Sequence, residues 1–241
     1  MDFGLWDRIL PLLPLEAEDP FAMTLLAFGL GFASGAGLLA AIFTSKTGLG
    51  IFFFLLGIYH LLEFSFVARH HKDKLSAHSF LVDHSDAWLL AWTFCFVEYL
   101  VGMRFFPNFK SSPFFVVVGT AVTVFGQVVR SGAMFGIGQN FNHHVEDRGR
   151  SDHVLCTSGL YAFVRHPSYL GWTLWAVGMP LIVGNLLSVP VFALGAYMFF
   201  ADRIPDEEEK LIGMFGKDYI EYIKKVPCGL PFIKSRKVHD E

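Results

Sequence analysis

Gly159-Leu-Tyr-Ala-Phe-Val-Arg-His-Pro-Ser-Tyr-Leu-Gly171 runs directly into an uncharged stretch, Pro167 to Ala201, which ends on Asp202-Arg203-Ile204-Pro205-Asp206-Glu207-Glu208-Glu209. A helix needs roughly 20 apolar residues to cross the hydrocarbon of a bilayer. The uncharged stretch is too long for one crossing, and Gly178-Met-Pro180 and Gly184-Asn185 are places where the chain can turn. Two spans, about 167–183 and 186–201, therefore form a hairpin. A hairpin returns to the side on which it began, so the Arg, His and Tyr residues before it meet the Arg and Glu cluster after it. The expected result is a polar site at a membrane surface.

Working outward, the composition agrees with that class. The 241 residues are 53% hydrophobic and 16% aromatic, with 27 Phe, above what a soluble domain carries. Four further windows are long and apolar enough to span: 21–45, 48–67, 87–106 and 113–134. The expected fold is an all-α integral membrane protein of about six transmembrane helices, including the C-terminal hairpin, with a cofactor-binding cap on the cytosolic side. Residues 1–20 form a lead-in, 21–135 the first four helices, and 136–241 a C-terminal region holding the hairpin and the cap. The lead-in lacks a basic n-region, and Pro11, Pro14, Glu16, Glu18 and Asp19 interrupt it, so it does not read as a cleavable signal.

Orientation follows from Lys and Arg. Cytosolic termini place Arg69, Lys72, Lys74, Arg148, Arg150, Arg165 and the basic tail inside, and leave Lys46, Arg104 and Lys110 outside. A net charge of −3 gives no footprint for nucleic acid. Cys95, Cys156 and Cys228 have no metal-ligand spacing, so neither a disulfide nor a metal site is implied.

Ionisable residues within spans are costly and point to function or to pairing. His60 and Glu63 share a helical face, and either a structural pair or a functional one satisfies the spacing. Glu98 reads as a helix-packing partner. Arg130, late in the fourth span, either snorkels to headgroup phosphate or binds an anion in a pocket. Between spans, His153, Val154, Leu155, Cys156 and Tyr161 precede Arg165-His166-Pro167-Ser168-Tyr169. Pro167 suits the first position of a helix, which sets His166 and Tyr169 where backbone N–H groups favour an anion. Arg203 and Glu207 are spaced i,i+4, although Pro205 interrupts an unbroken helix and the Glu run reads equally as a solvated turn. Gly119, Gly126, Gly132 and Gly136 allow close helix approach or a gap for a lipid arm.

Asn140-Phe-Asn-His143, Ser151-Asp-His-Val-Leu155, Ser158-Gly-Leu-Tyr161, Arg165-His-Pro-Ser-Tyr-Leu-Gly171, Arg203 with Glu207-Glu208, and Gly229-Leu-Pro-Phe-Ile233 together resemble the isoprenylcysteine carboxyl methyltransferase family. The order and spacing match over residues 126–236. The resemblance implies transfer of a methyl group from S-adenosylmethionine to the carboxylate of a C-terminal farnesyl- or geranylgeranyl-cysteine, on CaaX proteins whose last three residues have been removed. It implies an endoplasmic reticulum membrane with the site facing the cytosol. Arg130 and Arg203 are the candidates for holding the carboxylate. Glu146, His153, Val154, Leu155, Cys156, Tyr161, His166, Ser168, Tyr169 and Glu207 are the candidates for holding the cofactor. Cys156 stands where many members have Val, and Glu146 where Gln is expected. A phospholipid N-methyltransferase and a non-enzymatic transporter or channel are the alternatives. The bilayer is a partner on any of these readings, and a homo-oligomer is left open.

Overall fold

A computed structural model describes residues 16–82, 85–141 and 154–233. Every regular element among them is helical: α1 Pro20–Phe43, α2 Thr47–His70, α3 Asp86–Phe105, a short α4 Pro107–Lys110, α5 Pro113–Ile137, α6 Pro167–Ile182, α7 Ser188–Phe215 and α8 Lys217–Lys225, with 3₁₀ turns between several of them. Among the described residues, four stretches are long and apolar enough to cross a membrane: α1, α2, α3 and the Pro107–Asn140 segment that contains α5. The chain is a multi-pass membrane protein. Its large exposed side chains, such as Phe28, Phe32, Leu90 and Phe125, are apolar because lipid rather than water is their solvent.

Two compact units divide the chain. One comprises the residues up to Val124 with Trp175–Phe192, and the other Phe125–Leu174 with the residues from Ala193 onward. In the first unit, α1 and α2 touch backbone to backbone. A Cβ on Gly37 would lie 2.7 Å from the Gly50 carbonyl oxygen, and one on Gly50 2.5 Å from the Ala41 nitrogen. Close approach of this kind replaces the missing hydrophobic drive between helices in lipid. His60 meets the carbonyl of Phe80 at 2.8 Å through Nδ1, which ties α2 to the 3₁₀ turn Ala77–Phe80.

The hairpin turns at Gly184-Asn185, where Gly184 has φ +65°. The other expected turn, Gly178-Met-Pro180, instead lies inside α6, with Gly178 flat against Thr123. Glu98 is a packing partner of a definite kind. Its carboxylate accepts from the Leu187 amide at 3.0 Å, the Ser188 amide at 2.7 Å and the Ser188 hydroxyl at 2.6 Å, and so caps the start of α7. Lys110 donates to the Gly184 carbonyl at 2.8 Å and lies 3.5 Å from Glu98, so the buried ammonium of the turn is neutralised.

α7 departs from expectation. It runs unbroken through Pro205, so Arg203, Glu207 and Glu208 belong to one helix rather than to a helix start or a solvated turn. Pro205 removes one donor but sits beyond the apolar arm. The helix stops before Gly216, whose φ of +56° opens a corner into α8.

Candidate active site

The second unit gathers its chemistry where α6 begins. Pro167 is the first residue of α6, and the His166 carbonyl accepts the Leu170 amide at 3.1 Å, so Arg165 and His166 lie at the mouth of the helix. The extended segment after α8 is strapped to them: the Arg165 amide donates to the Pro227 carbonyl at 2.9 Å and the His166 amide to the Cys228 carbonyl at 3.2 Å. Gly229, at φ +100°, follows immediately, and a Cβ there would stand 2.8 Å from Val164.

Beneath this junction Glu208 is fully buried. Its Oε1 accepts from Arg165 Nε at 2.9 Å, Arg165 Nη2 at 2.8 Å and His166 Nε2 at 3.1 Å. Arg165 Nη1 donates to the carbonyls of Val226 and Ile223, so one guanidinium joins α6, α7 and the end of α8. Burial by itself would raise the Glu208 carboxyl. The hydrogen bond from His166 and the charge of Arg165 outweigh it, and the group sits below its ordinary 4.5. A carboxylate depressed in the folded state stabilises the fold fully above its unfolded value, and that contribution is lost as pH falls through the folded value. Thermal unfolding in detergent should therefore fall off below about pH 4.5 more steeply for the native chain than for Glu208→Gln.

Above Glu208, His166 stacks on Tyr169 with rings 3° from parallel, and Tyr169 stacks on Phe200. The Tyr169 hydroxyl donates to Glu207 Oε2 and accepts from Arg203 Nε at 2.8 Å. The Arg203 guanidinium lies over the rings of Tyr169 and Phe199, a cation–π arrangement. Arg203 and Glu207 thus share a face, as their spacing implies, but Tyr169 stands between them. Arg130 is buried in α5 and donates to the Ser168 hydroxyl at 3.1 Å, so it points to the first turn of α6 rather than snorkelling.

These elements surround an open cavity of about 110 Å³. Val154, Leu155, Cys156, Tyr161, His166, Ser168, Tyr169 and Glu207 all line it; they are all of the cofactor candidates that fall among the described residues. Glu146 and His153 lie outside the described residues. Arg130 and Arg203 do not line the cavity but flank it through Ser168 and Tyr169. The sequence reading missed Tyr219 and Tyr222, which also line it. Burial pushes the Tyr222 phenol up to about 12 and raises Tyr161 and Tyr219 further, so all three remain donors. The reading also missed Glu208. Its signal was a spacing of four: Phe192, Ala196, Phe200, Ile204 and Glu208 form one buried stripe.

Of the glycines read as allowing either close helix approach or a gap for a lipid arm, Gly119 makes a close approach and Gly136 stands open. A Cβ on Gly119 would lie 2.3 Å from the Ile182 nitrogen, while Gly136 has nothing within 4 Å. Gly171 presses on α5, where a Cβ would stand 2.5 Å from the Arg130 nitrogen and 2.7 Å from the Gly126 carbonyl. Gly171→Val should therefore separate the helices, displace Arg130 from Ser168 and lower the melting temperature by several degrees, at a cost of about 1–3 kcal/mol for overpacking. An unchanged melting curve would refute that account.

Residues 117–213 match the family profile described as the isoprenylcysteine carboxyl methyltransferase family. A protein-S-isoprenylcysteine O-methyltransferase of Xenopus laevis is 39% identical over 228 residues, covering 94% of this chain and 79% of the relative. The chain belongs to the isoprenylcysteine carboxyl methyltransferase family. The Dictyostelium discoideum member is 42% identical over 186 residues, covering 77% of this chain and 78% of its own, and the Homo sapiens member 38% identical over 228 residues, covering 94% and 80%. A solved structure of the eukaryotic intramembrane Ras methyltransferase of this family superposes with a TM-score of 0.87 at 34% identity, over 95% of this chain and 82% of that one. The likeness therefore extends over the transmembrane helices as well as the polar C-terminal region.

Proposed function

We propose that this chain methylates the C-terminal carboxylate of prenylcysteine on farnesylated or geranylgeranylated CaaX proteins after proteolysis, with S-adenosylmethionine as methyl donor and residues 136–241 as the catalytic region. The observation that carries the site assignment is the convergence of eight cofactor candidates on one cavity flanked by two arginines. The cavity's chemistry fits such a donor. Glu207 and the tyrosine rings suit a cation, and the first turn of α6 suits a carboxylate.

S-adenosylmethionine, when bound, supplies an electrophilic methyl group on its sulfonium sulfur. The remaining tasks fall to the protein. A substrate carboxylate with a pKa of about 3.5 is already ionised at neutral pH, so no general base is required. Arg203, its plane fixed by Tyr169, and Arg130, fixed by Ser168, orient the carboxylate by a planar fork. The fork aligns the oxygen more than it neutralises it, since a full ion pair would blunt the nucleophile. Rate then comes from alignment and exclusion of water. Charged donor and lipid-tailed acceptor approach from different phases, the donor from the cytosol and the prenyl group from the bilayer of the endoplasmic reticulum. The six-span count with cytosolic termini belongs to this proposal, and association into a homo-oligomer is compatible with it.

Purified protein incubated with labelled S-adenosylmethionine and N-acetyl-S-farnesylcysteine should yield base-labile methyl ester. Label transferred to phosphatidylethanolamine instead would replace this reading with a phospholipid N-methyltransferase. Folded protein that binds no S-adenosylhomocysteine would overturn it altogether.

A further inference from the structure

His166 lines the cavity, but its two ring nitrogens face different tasks. Nε2 lies 3.1 Å from Glu208 Oε1. That oxygen accepts only when Nε2 carries the proton, because a carboxylate offers no hydrogen of its own. Nδ1 makes no hydrogen bond to any described residue. Arg165 already lies against the same oxygen through two nitrogens, so the Glu208 charge is matched without a second cation. The hydrogen bond made by one ring nitrogen sets the state of the other, and Nδ1 is left as a bare acceptor.

The ring cannot easily trade these roles. It is held parallel to Tyr169, and its own backbone amide is tied to the Cys228 carbonyl. Glu208 itself does not line the cavity and has no exposed surface. Its second oxygen, Oε2, is buried and accepts nothing from the described residues, so its directed hydrogen bonding falls on Oε1.

We infer that Glu208 is a positioning residue that acts through His166, holding the imidazole with its proton on Nε2 so that Nδ1 receives an N–H or O–H of the bound methyl donor. The inference rests on the proposed donor site and deepens it by naming the chemistry that His166 reads: a hydrogen-bond-donating group, either the ammonium of the amino-acid part or a hydroxyl or amine of the adenosine part.

Two substitutions separate the nitrogens. His166→Asn carries an amide that reaches the Nδ1 position only, whereas His166→Gln reaches the Nε2 position only. Titration calorimetry with S-adenosylhomocysteine should find His166→Asn within threefold of the native affinity and His166→Gln weaker by about tenfold, the value of one directed hydrogen bond. Equal losses in both, or the reverse order, overturn the proposal. Repeating the titration with 5′-methylthioadenosine, which lacks the amino-acid part, locates the partner: a persisting loss assigns it to the adenosine half, and a vanished one to the ammonium.

The action of Glu208 is read from histidine side-chain ¹⁵N spectra, with His166 assigned by its absence from the His166→Gln spectrum. The native protein should show Nε2 protonated and Nδ1 bare. Glu208→Gln, which keeps size and an acceptor but adds an N–H, should fold and show a mixture of tautomers. A native ring protonated on Nδ1, or a Glu208→Gln spectrum identical to the native one, overturns the positioning role. If the native protein binds no S-adenosylhomocysteine, the proposed function fails rather than this inference.

Discussion

Arg203→Ala lowers kcat/KM for N-acetyl-S-farnesylcysteine by about 10²–10³, the cost of removing one preorganised group that acts on the reacting oxygen. The expectation rests on how the side chain is held. Nε is committed to the Tyr169 hydroxyl at 2.8 Å, and the guanidinium plane lies against two aromatic rings. Its orientation is therefore set before substrate arrives. Arg203→Lys should lose nearly as much, because an ammonium has neither the fork nor the stacking. Glu207→Ala serves as the contrast: it should weaken S-adenosylhomocysteine binding, since its carboxylate is on the cavity wall. Ester formation by Arg203→Ala within threefold of the native rate would remove Arg203 from the site.

The second large effect is on stability. Arg165→Met and Glu208→Leu each strand a buried charge, their side chains being 2% and 0% exposed. Breaking such a pair from one side costs about 3–5 kcal/mol, or about 10 °C in melting temperature for a chain of this size. The double variant should recover part of that loss, because two apolar side chains can pack where two charges paired. Recovery remains incomplete, since Arg165 also serves the carbonyls of Ile223 and Val226. Single variants that melt with the native protein would show the pair to be dispensable.

Much of the fold was legible because the bilayer imposes simple rules. Apolar runs of the right length became helices at 20–43, 47–70, 86–105 and 113–137, within a few residues of expectation. The turn was ambiguous because Gly and Pro mark turns in general. Gly178 proved to be a packing surface for Thr123 and Pro180 was accommodated near the helix end. Pro205 misled for a similar reason: a missing donor is tolerated where the surrounding helix is held by other contacts. The Glu run was the hardest to read. Adjacent residues on a helix point about 100° apart, so Glu207 reaches the cavity wall while Glu208 enters the core.

By itself the sequence determined the membrane class and the helical architecture, because hydropathy and spacing are local properties. It did not determine what each charged group does. Arg165, Arg203 and Arg130 are alike as residues, yet one is spent on a buried carboxylate, one is levelled by Tyr169 and one is tied to Ser168. Those roles depend on partners 34 to 43 residues away. Only folding brings these partners within the 3 Å at which a hydrogen bond acts, so only the tertiary structure could separate the arginine that holds the fold together from those that flank the cavity.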